Sequence, residues 1–230
     1  RMGESLAKQI QKAGIKIDSV IPIPETGRPM AAGLADKLKI RYREAFIKNR
    51  YIGRTFIMPE QKMRQRNLLF KLHPIDLEFK GNNVLLVDDS IVRGNTCKKI
   101  IEIAREAGAK KVYFASGSPP ITGPDPYGID LPTKEELIAS DHSIEEIAKF
   151  IGADGLFYAT IEDTREAVRR GNRNIKRFSD GCFTGEYPTP EITKKLLREL
   201  GSSRNSSRSN FEQEINSDEE GDAYKMMTLV

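Results

Sequence analysis

The chain has 230 residues, with 37 Lys and Arg against 33 Asp and Glu, a formal net charge of +4, and 38% hydrophobic residues. A balance this mixed does not describe a general polycation of the kind that binds nucleic acid, so basic clusters have to be judged where they occur. No stretch is apolar for long enough to cross a membrane and no signal-peptide pattern is visible, so the cytoplasm is the expected compartment.

In chain order, apolar spacing predicts a helix near 3–13, a strand near 18–23, a helix from Pro29 to about Lys37 with the proline at the first helical position, and a strand near 39–43. The segment between the first strand and the second helix reads Pro22-Ile-Pro-Glu-Thr-Gly-Arg28. Its prolines stiffen it, so backbone amides can be held at fixed positions for an anion, although a Pro-rich turn is usually only a turn. Residues 48–72 then place Lys48, Arg50, Arg54, Lys62, Arg64, Arg66 and Lys71 against Glu60 alone. A solvated loop and a nucleic-acid patch are the competing readings. The second wants aromatics interleaved with the basic groups, and only Tyr51, Phe56 and Phe70 appear. A long loop beside a site is more often a lid, and His73, just before Pro74, is given a surface role.

Residues 84–96 carry the most information. Val84-Leu-Leu-Val87 fits a strand buried on both faces of a parallel sheet, and it runs directly into Asp88 and Asp89. The turn that follows brings the hydroxyls of Ser90 and Thr96 and the permissive backbone of Gly94 to the start of a helix near 97–108. The first amides of such a helix point outward unpaired with a favourable dipole, so an anion is held without a lysine. Asn95 or Thr96 is expected to cap this helix and Gly108 to end it. Adjacent carboxylates at a strand end alternate in direction, so one can face a ribose diol while the other reaches a hydrated Mg²⁺ or a structural donor.

Lys110 to Ser116 supplies the next strand, Pro119 to Pro126 is a loop by composition, and 133–150 reads as two helices broken near Ser140. Leu137, Ile138, Ile144, Ile147 and Phe150 are expected in the core, and Leu156 with Phe157 in a further strand. His142, after Asp141, is expected to cap a helix or lie at the surface. Cys97 and Cys182 show no metal-ligand spacing and are expected as reduced thiols, not a disulfide. Strands alternating with helical patterns over residues 1–200 give an α/β domain. From 201 to 230 the chain turns polar and then acidic, a composition expected to be disordered, with Ser217 beside Asp218, Glu219 and Glu220 resembling a site for an acid-directed kinase.

Val84 to Thr96 resembles the phosphoribosyl pyrophosphate (PRPP) motif of type I phosphoribosyltransferases. The flanks at 20–26, 48–59 (Lys-Asn-Arg-Tyr-Ile-Gly-Arg-Thr-Phe-Ile-Met-Pro), 127–130 and 183–189 narrow the resemblance to the glutamine PRPP amidotransferase family, from about Arg1 to about Leu200. The resemblance implies a parallel-sheet type I phosphoribosyltransferase fold with a flexible lid over the active site. It implies that Ser90, Arg93, Gly94, Asn95 and Thr96 hold a 5′-phosphate, that Asp88 and Asp89 fix the ribose and its Mg²⁺, and that Pro24, Glu25, Thr26 and Gly27 form the pyrophosphate loop. It further implies that the 48–72 lid brings Lys48, Tyr51 and Arg54 to the pyrophosphate as catalytic groups and Ile57 to the route of ammonia. Two positions depart from the family pattern: Gly27 stands where many relatives carry a metal-holding Ser, and Asn95 where Thr is common.

The implied reaction joins ammonia, derived from glutamine, to PRPP, giving 5-phosphoribosylamine and pyrophosphate in the first committed step of purine synthesis. Purine nucleotide inhibition and a homo-oligomer are family expectations. The glutaminase domain of that family is expected to lie outside this chain, since no cysteine precedes Cys97. Some members bind an iron–sulfur cluster through four cysteines; with Asp125 in one such region and Cys182 alone in the other, no cluster is expected here. Transfer to a nucleobase, or PRPP sensing without catalysis, are the alternative readings.

Overall fold

The computed structural model describes residues 1–48, 72–129, 131–193 and 195–197. Four consecutive apolar residues, Val84 to Val87, are each fully buried, which requires packing on both faces of the strand that carries them. That strand, β5 (Asn83–Asp88), is the third of five in a sheet of order β2 (Arg41–Tyr42), β1 (Ser19–Pro22), β5, β6 (Lys111–Ser116), β7 (Gly155–Tyr158). Every pairing within this sheet is parallel.

Side-chain alternation divides the core into two. Val84 and Leu86, with Ile21, Val112, Phe114, Leu156 and Tyr158, face helices α4 (Asn95–Glu106) and α5 (Ile144–Ile151). Leu85 and Val87, with Val20, Tyr113 and Ala115, face α1 (Met2–Lys12) and α2 (Arg28–Leu38). The helices present matching stripes, Leu6, Ala7 and Ile10 on α1 and Ile100, Ile103 and Ala104 on α4. The result is a doubly wound α/β sheet, in agreement with the expected class.

Several elements depart from the sequence reading for visible reasons. The strand expected at 39–43 shortens to Arg41–Tyr42, because Lys39 closes α2 in a left-handed conformation at φ 57°. Residues Lys134–Glu136 and Ile138–Ser140 form two 3₁₀ turns where an α-helix was expected. Leu137 turns extended between them and joins a small cluster with Ile121, Leu131 and Cys182, so tertiary burial overrides helix propensity. Ser143, not His142, caps α5: its hydroxyl accepts from Glu146 N and the Glu146 carboxylate reaches back to Ser143 N. His142 instead shares a 3.1 Å hydrogen bond with the Ile138 carbonyl. Ile144 and Phe150, expected in the core, are 41% and 42% exposed.

Three features were not anticipated. Helix α6 (Ile161–Arg169) starts at Thr160, whose hydroxyl accepts from Asp163 N at 3.0 Å. A short helix, α7 (Gly181–Thr184), follows. Strands β3 (Phe46–Lys48) and β4 (Leu72–Pro74) pair antiparallel, with Lys48 opposite Leu72, so His73 lies in a strand, and β4 leads into α3 (Asp76–Phe79). Of the expected lid at 48–72, residues 49–71 lie outside the described residues, as does the expected tail at 201–230. Among the described residues no helix is long and apolar enough to cross a membrane.

Burial on both faces makes β5 the least replaceable strand. Leu86→Ala is expected to cost about 2–5 kcal/mol in chemical denaturation, whereas Leu77→Ala, at a side chain 86% exposed, should stay within roughly 0.5 kcal/mol.

Candidate functional site

Chain order reverses between β1 and β5: β1 connects outward to β2, while β5 connects the other way to β6 and β7. In open α/β sheets such a switch point leaves a crevice at the carboxyl ends of the two strands. Here it is bordered by the turn after β1 and the turn after β5, the two segments singled out by sequence. They are held side by side as the strands end, Ile23 N donating to the Val87 carbonyl at 2.8 Å.

The first turn holds Pro24, Glu25, Thr26 and Gly27. Gly27 N donates back to the Ile23 carbonyl at 3.1 Å and Arg28 N to the Glu25 carbonyl at 3.5 Å, so two of its amides are committed to the loop itself. Thr26 is exposed, and its hydroxyl lies near enough to the Asp88 carboxyl to favour the charged form. A Cβ on Gly27 would stand 2.2 Å from the Val87 carbonyl oxygen and 2.9 Å from that of Ile23. Position 27 therefore points into the sheet edge, and a serine does not fit this backbone. Behind the turn the Arg28 guanidinium bridges Glu25 and Glu44, the latter at 2.8 Å, and Tyr42 donates to Glu44 at 3.0 Å.

Asp88 and Asp89 end β5 with different surroundings. Asp89 is exposed; Asp88 is partly buried. Burial, with a hydrogen bond from the protonated Asp88 to Asp89 and that residue's charge, pushes the Asp88 carboxyl from 3.8 up to about 7, against the lowering effect of the Asp89 amide and the Thr26 hydroxyl. Each carboxylate also accepts the next backbone amide, Asp89 N at 2.9 Å on Asp88 and Ser90 N at 3.0 Å on Asp89. Their carbonyls take Gly117 N and Ser118 N at 2.9 and 2.8 Å, fixing the corner against the end of β6.

From Ser90 the chain crosses to α4. Ile91, 1% exposed, pegs the loop into the core on the α4 face, an anchor the sequence reading did not single out. Gly94 is the N-cap at φ 78° with no side-chain cap, and the helix begins at Asn95. This corrects the expected cap: Asn95 and Thr96 are the first helical residues, and their exposed side chains stand at the amide end of the helix dipole. Gly94 has a second reason to be glycine, since a Cβ would lie 2.9 Å from Ile138 Cδ1 and 3.1 Å from the Phe150 ring. Arg93 does not point freely at the loop; its Nε and Nη2 donate to Glu136 Oε1 at 3.0 and 2.8 Å.

Lys48 ends β3 opposite Leu72 with an exposed side chain; Tyr51, Arg54 and Ile57 lie outside the described residues. Cys97, on the first turn of α4, is buried and unbridged, its thiol pushed up by burial and by the Asp88 charge. Cys182 is also unbridged. Asp125 uses its carboxylate to accept the amides of Tyr127 at 2.8 Å and Ile129 at 3.2 Å, and its charge raises the nearby Cys182 thiol, after the larger effect of burial. Among the described residues no group of three or more His, Cys, Asp or Glu gathers to hold a metal. The Asp88–Asp89 pair suits a cation that keeps its waters and takes further oxygens from ligand phosphates, as Mg²⁺ does.

Residues 2–116 match the model of the phosphoribosyl transferase domain family. The amidophosphoribosyltransferase of Pseudomonas aeruginosa is 51% identical over 207 residues, 89% of this chain and 41% of that protein. That of Escherichia coli is 48% identical over 205 residues, 89% of this chain and 40% of that protein. A solved glutamine PRPP amidotransferase from B. subtilis, complexed with ADP and GMP, superposes with a TM-score of 0.73 at 40% identity, over 86% of this chain and 43% of that one. This chain thus spans about two-fifths of the length of these relatives.

Two outcomes test the corner. Gly27→Ala should destabilise by about 1–3 kcal/mol, because the methyl meets backbone oxygens that cannot rotate away; an unchanged denaturation midpoint would contradict the packing. Between 3.8 and about 7 the native Asp88 retains a proton that the unfolded chain has released. Its contribution to stability therefore falls as pH rises through that window and is lost above it. Thermal midpoints measured across the window should show this slope in the parent protein and lack it in Asp88→Asn; identical slopes would refute the shift.

Proposed function

The chain belongs to the phosphoribosyl transferase domain family, and on that premise we propose that it transfers ammonia to C1 of PRPP, releasing pyrophosphate and giving 5-phosphoribosylamine for purine synthesis. The observation that carries the reading is the meeting of the 24–27 and 88–96 turns at one switch point, where Ile23 N donates to the Val87 carbonyl at 2.8 Å. PRPP has two anionic ends separated by a ribose, and the crevice offers two anion-suited turns separated by two carboxylates.

In this reading the 5′-phosphate sits on the loop of Ser90, Arg93, Gly94, Asn95 and Thr96, where the amides that open α4 have no helical partner. Asp88 and Asp89 accept hydrogen bonds from the ribose 2- and 3-hydroxyls. Pro24, Glu25, Thr26 and Gly27 frame the pyrophosphate, and Lys48, Tyr51 and Arg54 complete its neutralisation. When bound, Mg²⁺ held at Asp88 and Asp89 adds positive charge to the pyrophosphate oxygens. Breaking the C1–oxygen bond leaves an oxocarbenium-like sugar and a highly charged leaving group, so catalysis consists mainly of holding both ends in place. Ammonia, entering past Ile57, attacks C1 from the face opposite the departing pyrophosphate with inversion, and no side chain acts as nucleophile.

The proposal extends to the longer protein. A glutaminase domain of the same protein supplies the ammonia, the assembly is a cytoplasmic homo-oligomer, and purine nucleotides inhibit it. The nucleotide-bound B. subtilis relative supports the last point.

Pyrophosphate release by the purified chain with Mg²⁺ and PRPP should depend on added ammonium and vanish in Asp88→Asn/Asp89→Asn while the fold persists by circular dichroism. Release that instead requires a purine or pyrimidine base would replace this reading with base transfer, and tight PRPP binding without turnover would replace it with sensing.

A further inference from the structure

We infer that Glu136 is a positioning residue for the 5′-phosphate loop, holding Arg93 so that part of its guanidinium faces the phosphate; the inference rests on the PRPP reading above. Both hydrogen bonds from Arg93, through Nε and Nη2, converge on the single oxygen Oε1 of Glu136 at 3.0 and 2.8 Å. A guanidinium carries five N–H donors in a planar fork, so this grip fixes the plane and leaves the Nη1 side available. Glu136 is itself fixed from behind. Its other oxygen, Oε2, takes the Thr133 amide at 3.4 Å in a reciprocal capping box that starts the Lys134–Glu136 turn.

The same short segment grips the loop at three successive residues. Ile138 N donates to the Val92 carbonyl at 3.0 Å, Glu136 binds Arg93, and Ile138 with Phe150 covers Gly94. The covering side of the loop is thus supplied by residues 133–150, some forty positions further along the chain than the motif. This explains why Leu137 is extended, and why Phe150 remains partly exposed with the Lys98 ammonium 5.4 Å from its ring centroid.

The assignment reverses the simple electrostatic expectation. A carboxylate beside an anion site repels the anion, so its removal should tighten binding if it acts only through its charge. If it acts through Arg93, removal should weaken binding, because the guanidinium loses its fixed plane and must be ordered by the ligand at an entropic cost.

The full chain, titrated calorimetrically with ribose 5-phosphate, and with pyrophosphate and Mg²⁺ in the presence of saturating ribose 5-phosphate, separates the two ends of the site. Glu136→Ala should weaken ribose 5-phosphate roughly five-fold, the order expected for losing a partly exposed charge-assisted pair. Glu136→Gln, whose single carbonyl oxygen can accept from Arg93 only by giving up the Thr133 amide, should lose less than Glu136→Ala, and pyrophosphate affinity should be unchanged in both. In an Arg93→Ala background, Glu136→Ala should add no further loss. Unchanged or tighter ribose 5-phosphate binding by Glu136→Ala would overturn the inference. So would equal loss at both ends with a lowered thermal midpoint, which marks a merely structural role. Failure of the parent chain to bind either ligand would overturn the PRPP reading itself, and the inference with it.

Discussion

The parallel pairing of β1 with β5 is the constraint on which the remaining geometry depends. Residues 19–22 lie in register with 84–87, so the turns that leave the two strands emerge at the same height on the same sheet edge. β1 connects away from β5 on one side and β5 away from β1 on the other, so the turns that leave them diverge at the carboxyl edge. In-register pairing brings segments more than sixty positions apart in sequence within one hydrogen bond, from Ile23 N to the Val87 carbonyl. The hydrophobic core maintains this register, since a one-residue slip of β5 would exchange Val84 and Leu86 with Leu85 and Val87 between two differently shaped helical layers.

The strand pairing also sets the electrostatics. Asp88 ends β5 partly buried, which raises its proton affinity; Asp89, one residue on, is exposed. Hydroxyl donors or a cation at the crevice favour the carboxylate form of Asp88. The carboxylates are held from behind by their own following amides and by β6, so a ligand meets groups already oriented.

Sequence alone made the strand-turn-helix at 84–96 legible because each part has a local cause: four apolar residues for a doubly covered strand, paired acids at its end, and a glycine before a helix. The sheet class and most helices followed from the same periodicities. What was not legible depended on partners distant in sequence. Gly27 read as a departure from a serine-bearing pattern, and only the approach of the Val87 carbonyl shows why a side chain has no room there. Gly94 in place of Asn95 or Thr96 as the cap follows from the cover of Ile138 and Phe150 over the loop. The 3₁₀ turns at 134–140 look helical by spacing, yet Leu137 and the Ile138 amide are drawn to other partners. Ser143 and Thr160 did carry readable cap signatures, each followed three residues later by an acid, and these were local signals overlooked.

The central claim is that the two turns form the two ends of a single PRPP site, and a crystal structure of the chain with Mg²⁺ and PRPP tests it most directly. The account requires the 5′-phosphate oxygens within about 3 Å of the amides that open α4 and the ribose hydroxyls at similar range from Asp88 and Asp89, with the pyrophosphate over residues 24–27. PRPP bound in the reverse sense, or seated away from the β1–β5 switch point, would contradict it.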